Sequence, residues 1–154
     1  VSQGRTRIAT ISGPLTMISS ADRVQGYRAA LADAGLSPFA EAEGDYTEAS
    51  GAAAVRQILE LGVPDAIFAA SDLMARGALT ALRAAGLSVP EDVAIIGYDD
   101  TSVALSTDPP LTTIRQPMYA QGSAMANVLL ARLSGGEPPQ TTILPTELVV
   151  RESA

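Results

Sequence analysis

Short β-branched runs alternate with longer stretches of helical period along this chain, and that alternation constrains its fold more than any other feature. Residues 7–11 (RIATI), 41–44, 65–70 (DAIFAA), 93–97 (VAIIG), 112–115 and 143–150 read as strands. Between them, 20–34 places Val24, Tyr27, Leu31 and Ala34 on one helical face, and 47–61 turns Val55, Ile58 and Leu59 inward. The stretch 72–85 aligns Met74, Ala78, Ala81 and Leu82, and 118–133 aligns Met118, Met125, Leu129 and Leu133. Strands separated by single helices imply βαβ units. With right-handed crossovers, the fold class is α/β: an open parallel sheet with helices on both faces.

Punctuation supports these segments. Ser19 followed by Asp22 has the form of a capping box for the first helix, and Gly35 is its natural stop. Asp72 is a natural N-cap for the third helix, and Asp45 and Thr47 for the second. The tetrapeptide Ala34-Gly35-Leu36-Ser37 recurs as Ala85-Gly86-Leu87-Ser88, which reads as the same C-terminal capping chemistry used twice. Breaks fall at Asp108-Pro109-Pro110 and at 134–140 (SGGEPPQ), so the helix between them belongs to a separate lobe.

Composition narrows the chemistry. The 154 residues include no His, no Cys and no Trp, and each of the 10 basic residues is Arg. Nucleophile–His systems, imidazole or thiolate metal sites, disulfides, Schiff bases and the lysine-bearing phosphate loop are therefore all absent. An enzyme is disfavoured, with no catalytic residue, metal site or cofactor assigned. A net charge of −7 opposes direct binding of nucleic acid by this chain. No apolar run reaches the roughly 20 residues of a membrane helix, and no leader is visible at residues 1–4. The expected location is the cytoplasm.

In an open parallel sheet, ligands bind beyond the carboxyl ends of the strands. There the chain places Ser12 and Gly13, then Asp45 and Tyr46, then Ser71 and Asp72, then Tyr98, Asp99 and Asp100, then Arg115 and Gln116. Arg23 adds a guanidinium near a helix N-terminus, where the dipole disfavours it, so a ligand role suits it better. Tyr46 in a polar turn suits stacking on a ring. Asp99 and Asp100 could also hold magnesium, although no further acidic ligand accompanies them.

The runs 67–77 (IFAASDLMARG), 89–100 (VPEDVAIIGYDD), 109–116 (PPLTTIRQ) and 144–153 (LPTELVVRES), with RVQGY at 23–27 and GDY at 44–46, resemble the LacI/GalR family of bacterial transcription repressors. The resemblance covers nearly the whole chain. It implies part of a two-lobed effector-binding core folded like a type I periplasmic binding protein. Residues 1–115 would then be the second lobe, 116–140 a segment crossing to a first lobe, and 141–154 the return strand. The fragment is thus a truncated core, with 1–5 as the tail of an upstream helix. The helix over 118–133, lacking its native sheet, is expected to pack on a neighbouring chain or be poorly ordered.

Carried over residue by residue, the resemblance implies that Arg23 hydrogen-bonds effector oxygens and that Tyr46 stacks on the effector ring. Asp99 would accept from hydroxyls, Gln116 would lie near the ligand, and Ser71 and Asp72 would complete the site. Ser71 stands where a family member has Asn, and Arg76 where members often carry an apolar residue on a dimer-facing helix. The implied function is sensing of a small, sugar-like effector within a homodimeric repressor. Operator DNA would be reached through a module outside this chain. Two alternatives are a periplasmic sugar receptor of a transporter and a magnesium-dependent phosphotransfer or hydrolase domain using Asp99 and Asp100.

Overall fold

A computed structural model describes residues 4–154. Its elements run in the order β1 (Ile8–Ser12), α1 (Ile18–Asp33), β2 (Ala40–Glu43), α2 (Glu48–Glu60), β3 (Ala66–Ala69), α3 (Asp72–Ala84) and β4 (Ala94–Asp99). There follow α4 (Ser102–Ser106), β5 (Thr112–Arg115), α5 (Met118–Leu133) and β6 (Glu147–Val149). One sheet of six strands has the order β2-β1-β3-β4-β5-β6. Its first five strands are parallel, as expected, but β6 joins the edge antiparallel to β5, with Leu148 opposite Ile114.

The strand order explains the layers. The chain moves one way from β1 to β2 and the other way from β2 through β3 to β4. Right-handed crossovers therefore set α1 on one face and α2 with α3 on the other. Helices α2 and α3 meet almost backbone to backbone. A Cβ added to Gly51 would collide with the Met74 carbonyl, and one added to Gly77 with the Glu48 carbonyl. Beneath them lie Ile11, Val55, Ile58, Ile67, Met74, Leu82, Ile95 and Leu111, all essentially sealed from solvent.

The repeated Ala-Gly-Leu motif does what its sequence implies. Gly35 and Gly86 adopt left-handed φ of 70° and 77°. The Leu36 amide donates to the Leu31 carbonyl and the Leu87 amide to that of Leu82, closing both helices with the same six-to-one bond.

Several local expectations are corrected. Helix α1 starts at Ile18 behind Met17, with no side-chain cap: Ser19, the expected cap, lies inside the helix, one residue past its start. Ser71, not Asp72, caps α3 by accepting from the Met74 amide, while Asp72 is the first residue of the helix. Thr47 caps α2 as expected, accepting from the Ser50 amide. Ala34 is exposed because it is the C-cap. The final strand is three residues long rather than the eight of 143–150. The short helix α4 was not foreseen. Gly4 and Arg5 are not helical, and residues 1–3 lie outside the described residues.

Helix α5 forms over the expected span, yet none of its residues is buried; Met118, Tyr119, Met125, Leu129, Leu130 and Leu133 are all exposed. Among the described residues, no helix is long and apolar enough to cross a membrane.

Candidate functional site

The carboxyl edge of the sheet gathers polar side chains from five successive loops, and each owes its place to a local cause. After β1, Gly13 leaves room for the aromatic ring of Tyr46: a Cβ there would overlap the ring. The Tyr46 hydroxyl is 2.5 Å from Ser20 Oγ on α1, so the ring bridges the loops after β1 and β2. Tyr46 holds a left-handed φ of 69°, a strained conformation for an aromatic residue and of the kind found at binding sites.

Arg23, one turn into α1, lies over the ring of Tyr98 with its guanidinium carbon 3.9 Å from the centroid. Its Nη1 donates to the Ala70 carbonyl at 3.2 Å. None of the ion pairs among the described residues includes Arg23. A half-buried cation with one backbone partner keeps most of its fork of donors available to oxygen atoms from outside.

Asp99 and Asp100 close β4, again with left-handed φ, of 113° and 56°. Their side chains diverge. Asp99 Oδ1 accepts from Gln116 Nε2 at 2.6 Å. Burial pushes the Asp99 carboxyl above the usual carboxylate range, with the Asp72 charge adding to the rise and the Gln116 bond and Arg23 opposing it. Asp100 accepts from Arg115 Nε at 2.6 Å and from Arg151 Nη2 at 2.5 Å. Burial pushes its carboxyl up too, but the bonds and charges of Arg151 and Arg115 outweigh it, and the net displacement is downward.

Ser71 and Asp72 lie beneath this edge and are buried. Asp72 Oδ2 accepts from the Thr101 amide at 2.7 Å and from its hydroxyl at 3.1 Å, while Oδ1 accepts from Thr113 Oγ1 at 2.6 Å. Asp72 thereby fixes the turn after β4 against β5. The structure thus brings Arg23, Tyr46, Asp99 and Gln116 to the rim and sets Ser71 and Asp72 as the floor. Tyr98, which the sequence set at this edge without a role of its own, carries the guanidinium of Arg23. Arg151 and Ser20 were missed altogether, and only the match over 144–153 hinted that Arg151 matters.

The donor set does not favour magnesium. Both oxygens of Asp100 are held by arginines, Asp99 faces the other way, and no group of three metal-ligating side chains occurs among the described residues.

Donors, acceptors and an aromatic ring at the carboxyl edge of a parallel sheet can together engage a small polar ligand. The periplasmic binding protein-like domain family matches residues 1–154, the whole chain. The chain belongs to that family. It is similar to the HTH-type transcriptional regulator CelR of Thermobifida fusca, with 46% identity over 157 residues, covering 99% of this chain and 46% of the relative. A solved complex of the regulator CelR with cellobiose superposes with a TM-score of 0.95 at 46% identity, covering 99% of this chain and 48% of that one. A lac repressor dimer bound to operator and the anti-inducer ONPF gives 0.95 at 37% identity, over 99% of this chain and 54% of that one. The resemblance to LacI/GalR regulators is borne out by these relatives, and so is the type I lobe architecture. This chain spans about half the length of the relatives it matches.

Proposed function

We propose that this chain is one wall of the effector cleft of a LacI-type transcriptional repressor. The effector is a small polyhydroxylated molecule of the sugar class. The observation that carries this reading is the rim itself: a cation in none of the ion pairs among the described residues, a partly buried aromatic and a half-buried carboxylate stand where this fold binds ligands. Arg23 donates to ring or hydroxyl oxygens, and Asp99 with Gln116 accepts from and donates to neighbouring hydroxyls. Tyr46 offers its ring face to the apolar side of a pyranose or furanose. Ser71 and Asp72 hold the floor.

The relatives support the class, since one of them is solved with cellobiose. The intact regulator works as a dimer in the cytoplasm and reads operator DNA through a module outside this chain; a relative solved as a dimer bound to operator supports the dimer and the DNA target. The segment 116–140 crosses to the first lobe, on which the apolar residues of α5 pack. Effector binding then favours one arrangement of the lobes over the other, because only a difference in affinity between two states can shift their balance. The reading includes no catalytic step, and the relatives, as regulators, support that. A transporter receptor would share the fold, but the operator-bound relative favours the regulator.

Calorimetric titration of the chain with cellobiose, a β-galactoside and ribose tests the proposal. Weak, saturable binding of one of them, abolished by Arg23→Ala, is expected. Equal affinity in the parent chain and Arg23→Ala overturns the assignment of the rim.

A further inference from the structure

The consecutive residues Asp99 and Asp100 do two separate jobs in the geometry. Asp99 faces the rim and holds Gln116, the residue at which the chain leaves β5. Asp100, its side chain 8% exposed, turns the opposite way and holds Arg115 at the end of β5 and Arg151 just beyond β6. Arg115 also reaches Glu147, which opens β6, at 3.2 Å. Arg151 is locked in place by its own bonds, with Nη1 donating to the Leu111 carbonyl at 2.7 Å and its amide to Thr112 Oγ1 at 2.9 Å. Both passages of the chain, outward before α5 and back into β6, are therefore tied to one two-residue segment. That segment stays left-handed without glycine, so its conformation is enforced by these contacts.

Nothing in α5 itself anchors it to this lobe by burial. Its link runs through the first turn, where Gln121 Nε2 donates to Gln116 Oε1 at 3.4 Å. The direction in which α5 leaves the sheet is accordingly set at residues 115 and 116.

We propose that Asp100 is a positioning residue that fixes the exit direction of α5, and that the Asp99–Asp100 pair conveys occupancy of the rim to that helix. A ligand hydroxyl that competes for Asp99 loosens Gln116 on one side, while Asp100 keeps Arg115 and Arg151 as the fixed pivot on the other. The second half of this proposal rests on the effector reading above, and the pivot does not.

The chain contains no cysteine, so two can be introduced for spin labels without background. Labels at Arg56→Cys on α2 and Arg132→Cys on α5 report the distance between the lobe and the crossing helix. In the unliganded chain a single distance population is expected. Asp100→Asn broadens it, and so does Arg115→Gln, which alters only a half-exposed side chain and serves should Asp100→Asn fold poorly. Hydrogen exchange at the Ile67 and Ile95 amides is expected to stay slow in both variants, which separates loss of the pivot from loss of the fold. Unchanged distance populations in both variants overturn the pivot.

A sugar that binds the parent chain is expected to shift the distance, and the shift is lost in Asp100→Asn while binding persists. An identical shift in Asp100→Asn overturns the coupling. If cellobiose, β-galactoside and ribose all fail to bind the parent, the effector reading and the coupling with it are overturned, and the pivot stands or falls on the unliganded distances.

Discussion

Helices α3 and α5 come from one chain and have similar lengths, yet they sit at opposite extremes of burial. Eight of the 13 residues of α3 are buried, and none of the 16 of α5. The difference does not lie in a shortage of apolar residues, since α5 carries two Met, three Leu and a Tyr on its surface. It lies in what each helix has to pack against. Helix α3 has the sheet below and α2 beside it, whereas α5 follows the last parallel strand and runs beyond the sheet. An amphipathic helix is stabilised mainly by the surface it covers, so the same pattern gives a core element in one place and an unpartnered one in the other.

The largest expected effect tests that contrast directly. Leu82 is fully buried on α3, and Leu129 is 59% exposed on α5. Leu82→Ala is expected to lower the unfolding free energy by about 3 kcal/mol, from lost transfer and the cavity left behind. Leu129→Ala is expected to change it by less than about 0.5 kcal/mol. Urea unfolding of the two variants measures both, and comparable losses would mean that α5 has found a partner surface within this chain or in a second copy of it.

A single substitution type sharpens the comparison further by changing sign. Gly77 in α3 faces the Glu48 carbonyl so closely that no Cβ fits, while Gly122 in α5 has nothing within 4 Å of the same position. Gly77→Ala is expected to cost about 2 kcal/mol by forcing α2 and α3 apart. Gly122→Ala should instead stabilise by about 0.5–1 kcal/mol through helix propensity alone. Thermal unfolding of the pair reads both signs, and a destabilised Gly122→Ala would show that α5 is closely packed after all.

The helix-and-strand alternation revealed the parallel sheet because each helix between parallel strands has to be amphipathic, and periodicity records that. It also located the site's edge, since the residues following each strand could be read off in turn. What stayed hidden depended on contacts distant in sequence. The antiparallel direction of β6 follows from the path of the chain after α5, which periodicity does not encode. The Asp100–Arg151 pair joins residues 51 positions apart, and neither residue is unusual in its own segment. The Ser20–Tyr46 bond likewise joins distant residues, and the expected Ser19 cap failed for a local reason: α1 begins at Ile18, so Ser19 falls inside the helix, and periodicity does not fix a helix start to the residue. Periodicity also aligned Met118, Met125, Leu129 and Leu133 correctly. It could not show that nothing among the described residues buries them.

The smallest expected effect contrasts the two halves of the Asp99–Asp100 segment, one turned to the rim and one to the pivot. The Asp100 carboxyl titrates below the ordinary range in the folded chain, so its contribution to stability is complete above that range and is lost as the pH falls through the lowered value. Asp99 has the opposite sign: burial raises it, so the folded state binds a proton more readily than the unfolded one. Its charge therefore weakens the fold at neutral pH, and acidification from above the raised value down through the ordinary carboxylate range relieves that strain. Asp99→Asn should accordingly raise the unfolding free energy at pH 7 by less than about 1 kcal/mol while weakening effector binding. The gain should vanish in acid, where the parent Asp99 is itself protonated. Under the proposed effector reading, that destabilising charge is the one that accepts ligand hydroxyls. Urea unfolding of the parent and Asp99→Asn from pH 7 downward decides the matter: a variant less stable than the parent at pH 7 would place Asp99 with Asp100 as a support of the fold rather than of the ligand.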